Sequence, residues 1–257
     1  MSRRVLLLGG LDPSGGAGIT VDATVCALHG CEPLPIALAT TIQGRRGFVA
    51  SEPVREAVWR EQLATVCADG APRVVKLGFV GDAALLAAVD DALRTTCPDV
   101  PVVVDPVLSA TAGGMATNDE LVQAYREHLL PRAALVTPNT PELELLAAGD
   151  AARLLATGAG AVLHKGGHGD GEHCVDELWT AGEPPFRFAR QRHDCGPVRG
   201  TGCALASAIA CQLAQRRGVV EACRLAGDWL AALLQGVRPA PSGLPRTLPL
   251  GRGRTAT

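Results

Sequence analysis

Six short, continuously apolar runs recur along this chain, each closed by glycine or a polar residue: VLLLGG (5–10), PIALAT (35–40), VVKLG (74–78), VVVDPV (102–107), ALVTPN (134–139) and AVLHKGG (161–167). A strand is apolar without alternation when both of its faces are covered, as in a parallel sheet between two layers of helices. Helical patterns fill the gaps, near 18–29, 53–69, 82–95, 118–130 and 141–148. This strand–helix alternation predicts an α/β fold: three layers, α/β/α, around a mostly parallel, doubly wound sheet. Two further runs, CVDELWT and FRFARQRH, flank AGEPP and predict a β-hairpin near residues 174–193. Two long helices follow, near 201–216 and 219–235. With no repeat and no linker, residues 1–236 read as one domain. The remainder, 237–257, is rich in Pro, Gly and Arg and reads as a poorly ordered tail.

Composition narrows the function classes. A formal net charge of −2 over 257 residues disfavours nucleic acid as a partner. No stretch approaches the roughly 18 uninterrupted apolar residues of a membrane span. The opening MSRRVLLLGG reads as a first strand, because its apolar run is too short for a signal peptide. Nine scattered cysteines without a C-x-x-C pair point away from a disulfide framework or zinc knuckle and toward a reducing, cytoplasmic setting.

In such a sheet, ligands bind beyond the carboxyl ends of the strands. Those ends carry Gly10-Leu11-Asp12, Thr41-Ile42-Gln43, Lys76-Leu77-Gly78, Asp105-Pro106, Asn139 with Glu142, and Lys165-Gly166-Gly167, the polar inventory of a phosphate and metal site. The chain's two lysines, Lys76 and Lys165, both fall there. A compact ammonium can follow a moving phosphoryl group in a way that a guanidinium fork cannot. Asp105 closes a fully apolar strand, where a carboxylate belongs to a sheet edge or a site. Asn139 and Glu142 have an ordinary reading too, as N-cap and first-turn acid of a helix. Gln43 can donate and accept, which suits an aminopyrimidine edge, but alone it is an ordinary loop glutamine. His164 and His168 have no third metal ligand nearby. Finally, GPVRGTGCALASAIACQLA runs a glycine turn into an apolar helix, with Cys203 in its first turn. Free N–H groups and the helix dipole make such a junction an anion site.

DPSGGAGI with Asp22 shortly after it, TIQGRRG, KLG, VVVDPV, TPNTPE, KGGH and GTGC stand in an order and spacing that resemble the hydroxymethylpyrimidine/phosphomethylpyrimidine kinases of thiamine biosynthesis, a branch of the ribokinase superfamily. The resemblance implies a ribokinase-like transferase that uses ATP and Mg²⁺, commonly as a homodimer. By the same resemblance, Gly200, Thr201, Gly202 and Cys203 form the anion hole, and Cys203 is the base that takes the hydroxymethyl proton. A helix N-terminus is expected to lower that thiol's pKa. Lys165, Asn139 and Thr201 are implied to bind ATP; Asp105, Glu142 and Asn139 organise the metal, through water. Gly10, Ala17, Asp22, Gln43, Phe79 and Val107 are implied to surround the pyrimidine.

The chain departs from the family pattern at Arg199, where relatives often have histidine, and at Phe79, where methionine is common. No lysine occurs in LSATAGGM, and the segment from Glu142 to Lys165 is short. The reading is ATP-dependent phosphorylation of 4-amino-5-hydroxymethyl-2-methylpyrimidine, with its monophosphate as a further substrate. A pyridoxal or pyridoxine kinase and a non-catalytic pyrimidine sensor are the alternatives.

Overall fold

A computed structural model of the chain describes residues 3–108, 118–169 and 171–251. The loop LSATAGGM lies almost wholly outside the described residues. The strands are β1 (Arg4–Leu11), β2 (Glu32–Gly44), β3 (Gly47–Pro53), β4 (Val74–Leu77), β5 (Val102–Val104), β6 (Ala133–Val136), β7 (Ala161–His164), β8 (His173–Thr180), β9 (Phe186–Gln191), β10 (Val198–Arg199) and β11 (Arg246–Thr247). The helices are α1 (Gly18–Leu28), α2 (Glu56–Ala68), α3 (Ala83–Thr96), α4 (Asp119–Ala124), α5 (Thr140–Ala147), α6 (Ala151–Ala156), α7 (Thr201–Ala214) and α8 (Val219–Gln235).

β1 to β9 form one nine-stranded sheet in the order β3-β2-β1-β4-β5-β6-β7-β8-β9. The strands from β2 to β7 pair in parallel; β3 at one edge and β8–β9 at the other are antiparallel. The chain runs outward from β1 to β2 and then returns to β4 on the other side of β1. That reversal opens the crevice in which doubly wound sheets bind ligands.

The unalternating apolar runs are explained by two cores. Leu6 and Leu8 of β1, Val75 and Leu77 of β4, and Val102 and Val104 of β5 face α2 to α6. Their neighbours Val5, Leu7, Val74 and Val103 face α1, α7 and α8. Period-two alternation thus serves both helical layers.

The hairpin of β8 and β9 forms as expected. The β2–β3 hairpin was not foreseen: β3 occupies residues that read as a loop running into a helix at 53, and α2 begins only at Glu56. The expected tail also has structure up to residue 251. Arg246–Thr247 pair in parallel with Val198–Arg199, and Val237 and Leu248 are buried against α7 and α8. Proline and arginine content suggested disorder, but the apolar residues between the prolines supply a packing face.

Candidate active site

The site is assembled from turns that leave backbone N–H groups free. Asp12 organises the first, accepting at Oδ1 from Ser14 N (2.8 Å) and Ser14 Oγ (2.7 Å), and at Oδ2 from Gly16 N (3.2 Å). Neither the N-cap residue of α1, Ala17, nor that of α7, Gly200, caps its helix with a side chain, which leaves first-turn N–H groups without the usual cap. Gly200, the N-cap of α7, is left-handed (φ 79°), and a Cβ there would lie 2.4 Å from the Gly16 carbonyl oxygen. The two turns can back onto each other only with glycine at 200. Gly200→Ala is therefore expected to cost about 2–5 kcal/mol, from left-handed strain plus steric overlap. Chemical denaturation against the wild type measures it; equal stability would mean that the two turns are not held this closely.

A cavity of about 470 Å³ runs across the carboxyl ends of the strands. Gly10, Ala17, Gln43, Phe79 and Val107 line it toward the β3 side, where Phe48 of the unforeseen hairpin also enters. Its middle is lined by Gly200, Thr201, Gly202, Cys203, Asp105, Asn139, Glu142 and Lys165. Toward β8 and β9 it continues between Leu205, Leu230 and Leu234, an apolar slot that strand-end reasoning did not reach. Phe48 and Phe79 meet edge to face at 6.0 Å, forming one apolar wall.

Asp22 alone among the expected site residues does not line the cavity. It sits on the inner face of α1, fully buried, accepting from Lys76 Nζ (2.8 Å) and Ser207 Oγ (2.8 Å). Lys76 is on the β4 face that looks toward α1 and α7, so its ammonium meets Asp22 beneath the site rather than in it. Burial, the largest single influence, would lower the Lys76 pKa, but Asp22, Cys203 and Asp105 together hold the ammonium above its ordinary value.

Lys165 is buried and donates to Asp105 Oδ1 at 2.8 Å, with Glu142 Oε2 at 3.8 Å. Thr137 Oγ1 adds a hydrogen bond to Asp105 at 3.1 Å. Asp105 is thus a paired carboxylate; burial would raise its pKa, but the Lys165 and Lys76 charges carry it below the usual carboxylate value. Asn139 and Glu142 form a reciprocal capping box on α5: Asn139 Oδ1 accepts from Glu142 N (2.9 Å), and Glu142 Oε2 from Asn139 N (2.8 Å). Their ordinary helix-start role is realised, and it also points Glu142 into the cavity wall beside Lys165. His164 contacts Thr140 Oγ1 at 3.0 Å.

Burial pushes the Glu142 carboxyl up to about 7; Lys165 opposes the shift and Asp105 reinforces it. A carboxyl held up in the fold adds stability below its ordinary value of 4.5, and that contribution is lost as the pH rises to about 7. Thermal unfolding without ligand should therefore show wild type losing stability relative to Glu142→Gln across this window. Parallel pH curves for the two proteins would contradict the shift.

The Cys203 thiol is pushed up, not down. Burial raises it to about 11; the Lys76 charge and a hydrogen bond from Gly18 N–H pull it down, while Asp22 and Asp105 push it further up. The expected lowering by the helix N-terminus is outweighed by desolvation, since protein surrounds the sulfur on all sides but the cavity. Among the described residues, no group of three or more His, Cys, Asp or Glu is arranged to hold a metal ion, and no helix is long and apolar enough to cross a membrane.

Comparison with known proteins agrees with this architecture. The family profile described as phosphomethylpyrimidine kinase matches residues 12–243. A hydroxymethylpyrimidine/phosphomethylpyrimidine kinase of Rhizobium meliloti is 36% identical over 245 residues, covering 91% of each chain. The crystal structure of a phosphomethylpyrimidine kinase from Clostridium difficile superposes with a TM-score of 0.76 at 29% identity, covering 89% of this chain and 98% of that one. A pyridoxal kinase of Bacillus subtilis, solved as an ADP complex, shares the fold with a TM-score of 0.86 at 24% identity, covering 96% of this chain and 97% of the other. On the extent of the family match and the identity of its relatives, this chain belongs to the phosphomethylpyrimidine kinase family.

Proposed function

We propose that the protein is an ATP-dependent kinase that phosphorylates the hydroxymethyl group of 4-amino-5-hydroxymethyl-2-methylpyrimidine, and then the monophosphate so formed, in thiamine biosynthesis. The observation that carries this reading is the single cavity that joins Gln43 and the aromatic wall, the uncapped start of α7 with Cys203, and the Asp105–Glu142–Lys165 cluster. A flat ring fits between Phe79, Phe48 and Val107, with its hydroxymethyl arm directed at Cys203. The triphosphate then spans the α7 N-terminus and Lys165, and the nucleoside occupies the slot near Leu205, Leu230 and Leu234.

In phosphoryl transfer the protein mainly positions the reactants and neutralises charge. The N–H groups of Gly200 to Cys203 meet the equatorial oxygens of the moving phosphoryl group, and Lys165 balances charge on the triphosphate. As the new P–O bond forms and the bond to the ADP leaving oxygen breaks, the hydroxyl proton passes to the Cys203 sulfur in its thiolate form, the minor form that turnover draws on. A thiolate whose thiol has a pKa of about 11 is a strong enough base to take the proton from the attacking oxygen, which becomes sharply more acidic as its bond to phosphorus forms.

The residues fit a hydrated Mg²⁺. Glu142 and Asp105 are two buried carboxyls that share one ammonium, Lys165, at 3.8 and 2.8 Å. A magnesium ion needs only one or two such groups beside water and phosphate oxygens. Asp105 and Glu142, with Asn139 fixing Glu142, would hold it, and it would supply charge neutralisation on the phosphates. We also propose a single kinase domain, a homodimeric assembly and a reducing, cytoplasmic location, on the resemblance and the scattered cysteines.

Steady-state ADP release with Mg²⁺, on the pyrimidine and separately on its monophosphate, tests the function. Turnover on both that stops on chelation with EDTA is expected. Pyrimidine binding without any turnover would instead support a sensor.

A further inference from the structure

We propose that Arg199 is a positioning residue for substrate recognition: it fixes which way the Gln43 carboxamide faces, and so gives Gln43 its selectivity for an aminopyrimidine edge. This rests on the kinase reading above. Arg199 is almost fully buried, yet it touches the cavity. Its Nη1 donates to Ser14 Oγ (2.9 Å), and its Nη2 to Asp12 Oδ2 (2.9 Å) and to Gln43 Oε1 (2.8 Å).

A carboxamide's two ends are nearly the same shape, so its orientation is set by what it meets. Two independent neighbours settle it here. Guanidinium can only donate, so the Gln43 end beside Arg199 must be the oxygen. At the other end, Thr41 Oγ1 spends its proton on the Leu11 carbonyl (2.9 Å) and can only accept, so the Gln43 nitrogen must donate to it (2.8 Å). Among the described residues, one N–H and one oxygen lone pair of Gln43 then have no further partner, and Gln43 lines the cavity. That pair complements a ring nitrogen next to an exocyclic amino group, the edge an aminopyrimidine presents. A ring with a hydroxyl in place of the amino–nitrogen pair must meet both with a single oxygen atom and matches the two less well.

Arg199 is thereby spent. Its charge is matched by Asp12 at 2.9 Å, itself buried, so it is not a free cation for a phosphate-bearing substrate. Its position is secured from behind: it lies in β10, paired with Thr247 of β11. A Cβ on Gly16 would come within 3.1 Å of Arg199 Nη1 and 3.2 Å of Thr247 Cγ2. The C-terminal segment thus helps to aim a substrate contact.

The test is a double-mutant cycle on the full chain: wild type, Arg199→Met, Gln43→Ala, the double variant, and Arg199→Lys. Lysine keeps a charge opposite Asp12 but cannot span three acceptors. The readouts are calorimetric Kd for hydroxymethylpyrimidine without nucleotide, and KM for the pyrimidine, its monophosphate and ATP. Arg199→Lys and Arg199→Met should each weaken pyrimidine binding about tenfold, the scale of one charge-assisted hydrogen bond, with KM for ATP nearly unchanged. In the Gln43→Ala background the arginine change should cost little more. Additive losses, an equal rise in KM for ATP, or a loss confined to the monophosphate would overturn the proposal. If Arg199→Met does not fold, Arg199→Lys decides through its Kd. A wild type that binds the pyrimidine but never turns over would defeat the kinase reading, while the Kd series still judges Arg199.

Discussion

Cys203→Ala is expected to lower turnover on hydroxymethylpyrimidine about 100- to 10,000-fold, the usual contribution of a positioned general base. Binding of the pyrimidine should change far less, because its ring is held by Gln43 and the Phe48–Phe79 wall rather than by sulfur. The pH dependence separates a base from a mere packing group. With its pKa at about 11, the thiol is overwhelmingly protonated near neutrality, and below that value the thiolate fraction rises tenfold for each unit by which the pH is raised. If free thiolate enters the rate, wild-type turnover climbs through mildly alkaline pH and the Ala variant lacks that climb. Cys203→Ser keeps a small polar group of much lower acidity and should behave like Ala. Retained activity in Ala would move the proton to water or to phosphate and remove the thiol from the mechanism.

Loss of Lys165 should be as severe, for a different reason. Lys165→Met removes the ammonium from two buried carboxylates, Asp105 at 2.8 Å and Glu142 at 3.8 Å. Breaking a buried pair from one side typically costs about 3–5 kcal/mol, because the remaining charge is stranded. The variant also loses a positive group facing the triphosphate, an effect of roughly 100- to 1,000-fold on turnover. Asp105→Asn combined with Lys165→Met removes the stranded charge. The double variant should recover much of the stability, measured by urea unfolding, and none of the activity. Recovery of both would make Lys165 a structural counter-ion only.

These outcomes bear on what the amino-acid order discloses. The parallel sheet was legible because its strands, covered on both faces, show as continuous apolar runs: Leu6 and Leu8 serve one core, Val5 and Leu7 the other. The gathering of polar strand ends was legible, and Gln43, Asp105, Lys165 and Cys203 line one cavity. Asp22 was misplaced because only the tertiary fold shows that its face of α1 meets Lys76 beneath the site. Phe48 was missed because β3, short and ending in proline, carries little strand signal of its own. The orientation of Gln43 depends on Arg199, 156 residues away, and no local pattern predicts such a contact. The thiol pKa was misjudged for a similar reason: a helix start is visible in sequence, whereas the depth of its burial is not.

Phosphorus NMR of the purified protein with ATP, Mg²⁺ and an equimolar mixture of hydroxymethylpyrimidine and pyridoxal tests the central claim most directly. A phosphomonoester on the pyrimidine should appear first, in step with ADP, with pyridoxal consumed more slowly. Phosphate transferred preferentially to pyridoxal, or ATP converted only to ADP and free phosphate, would contradict the account.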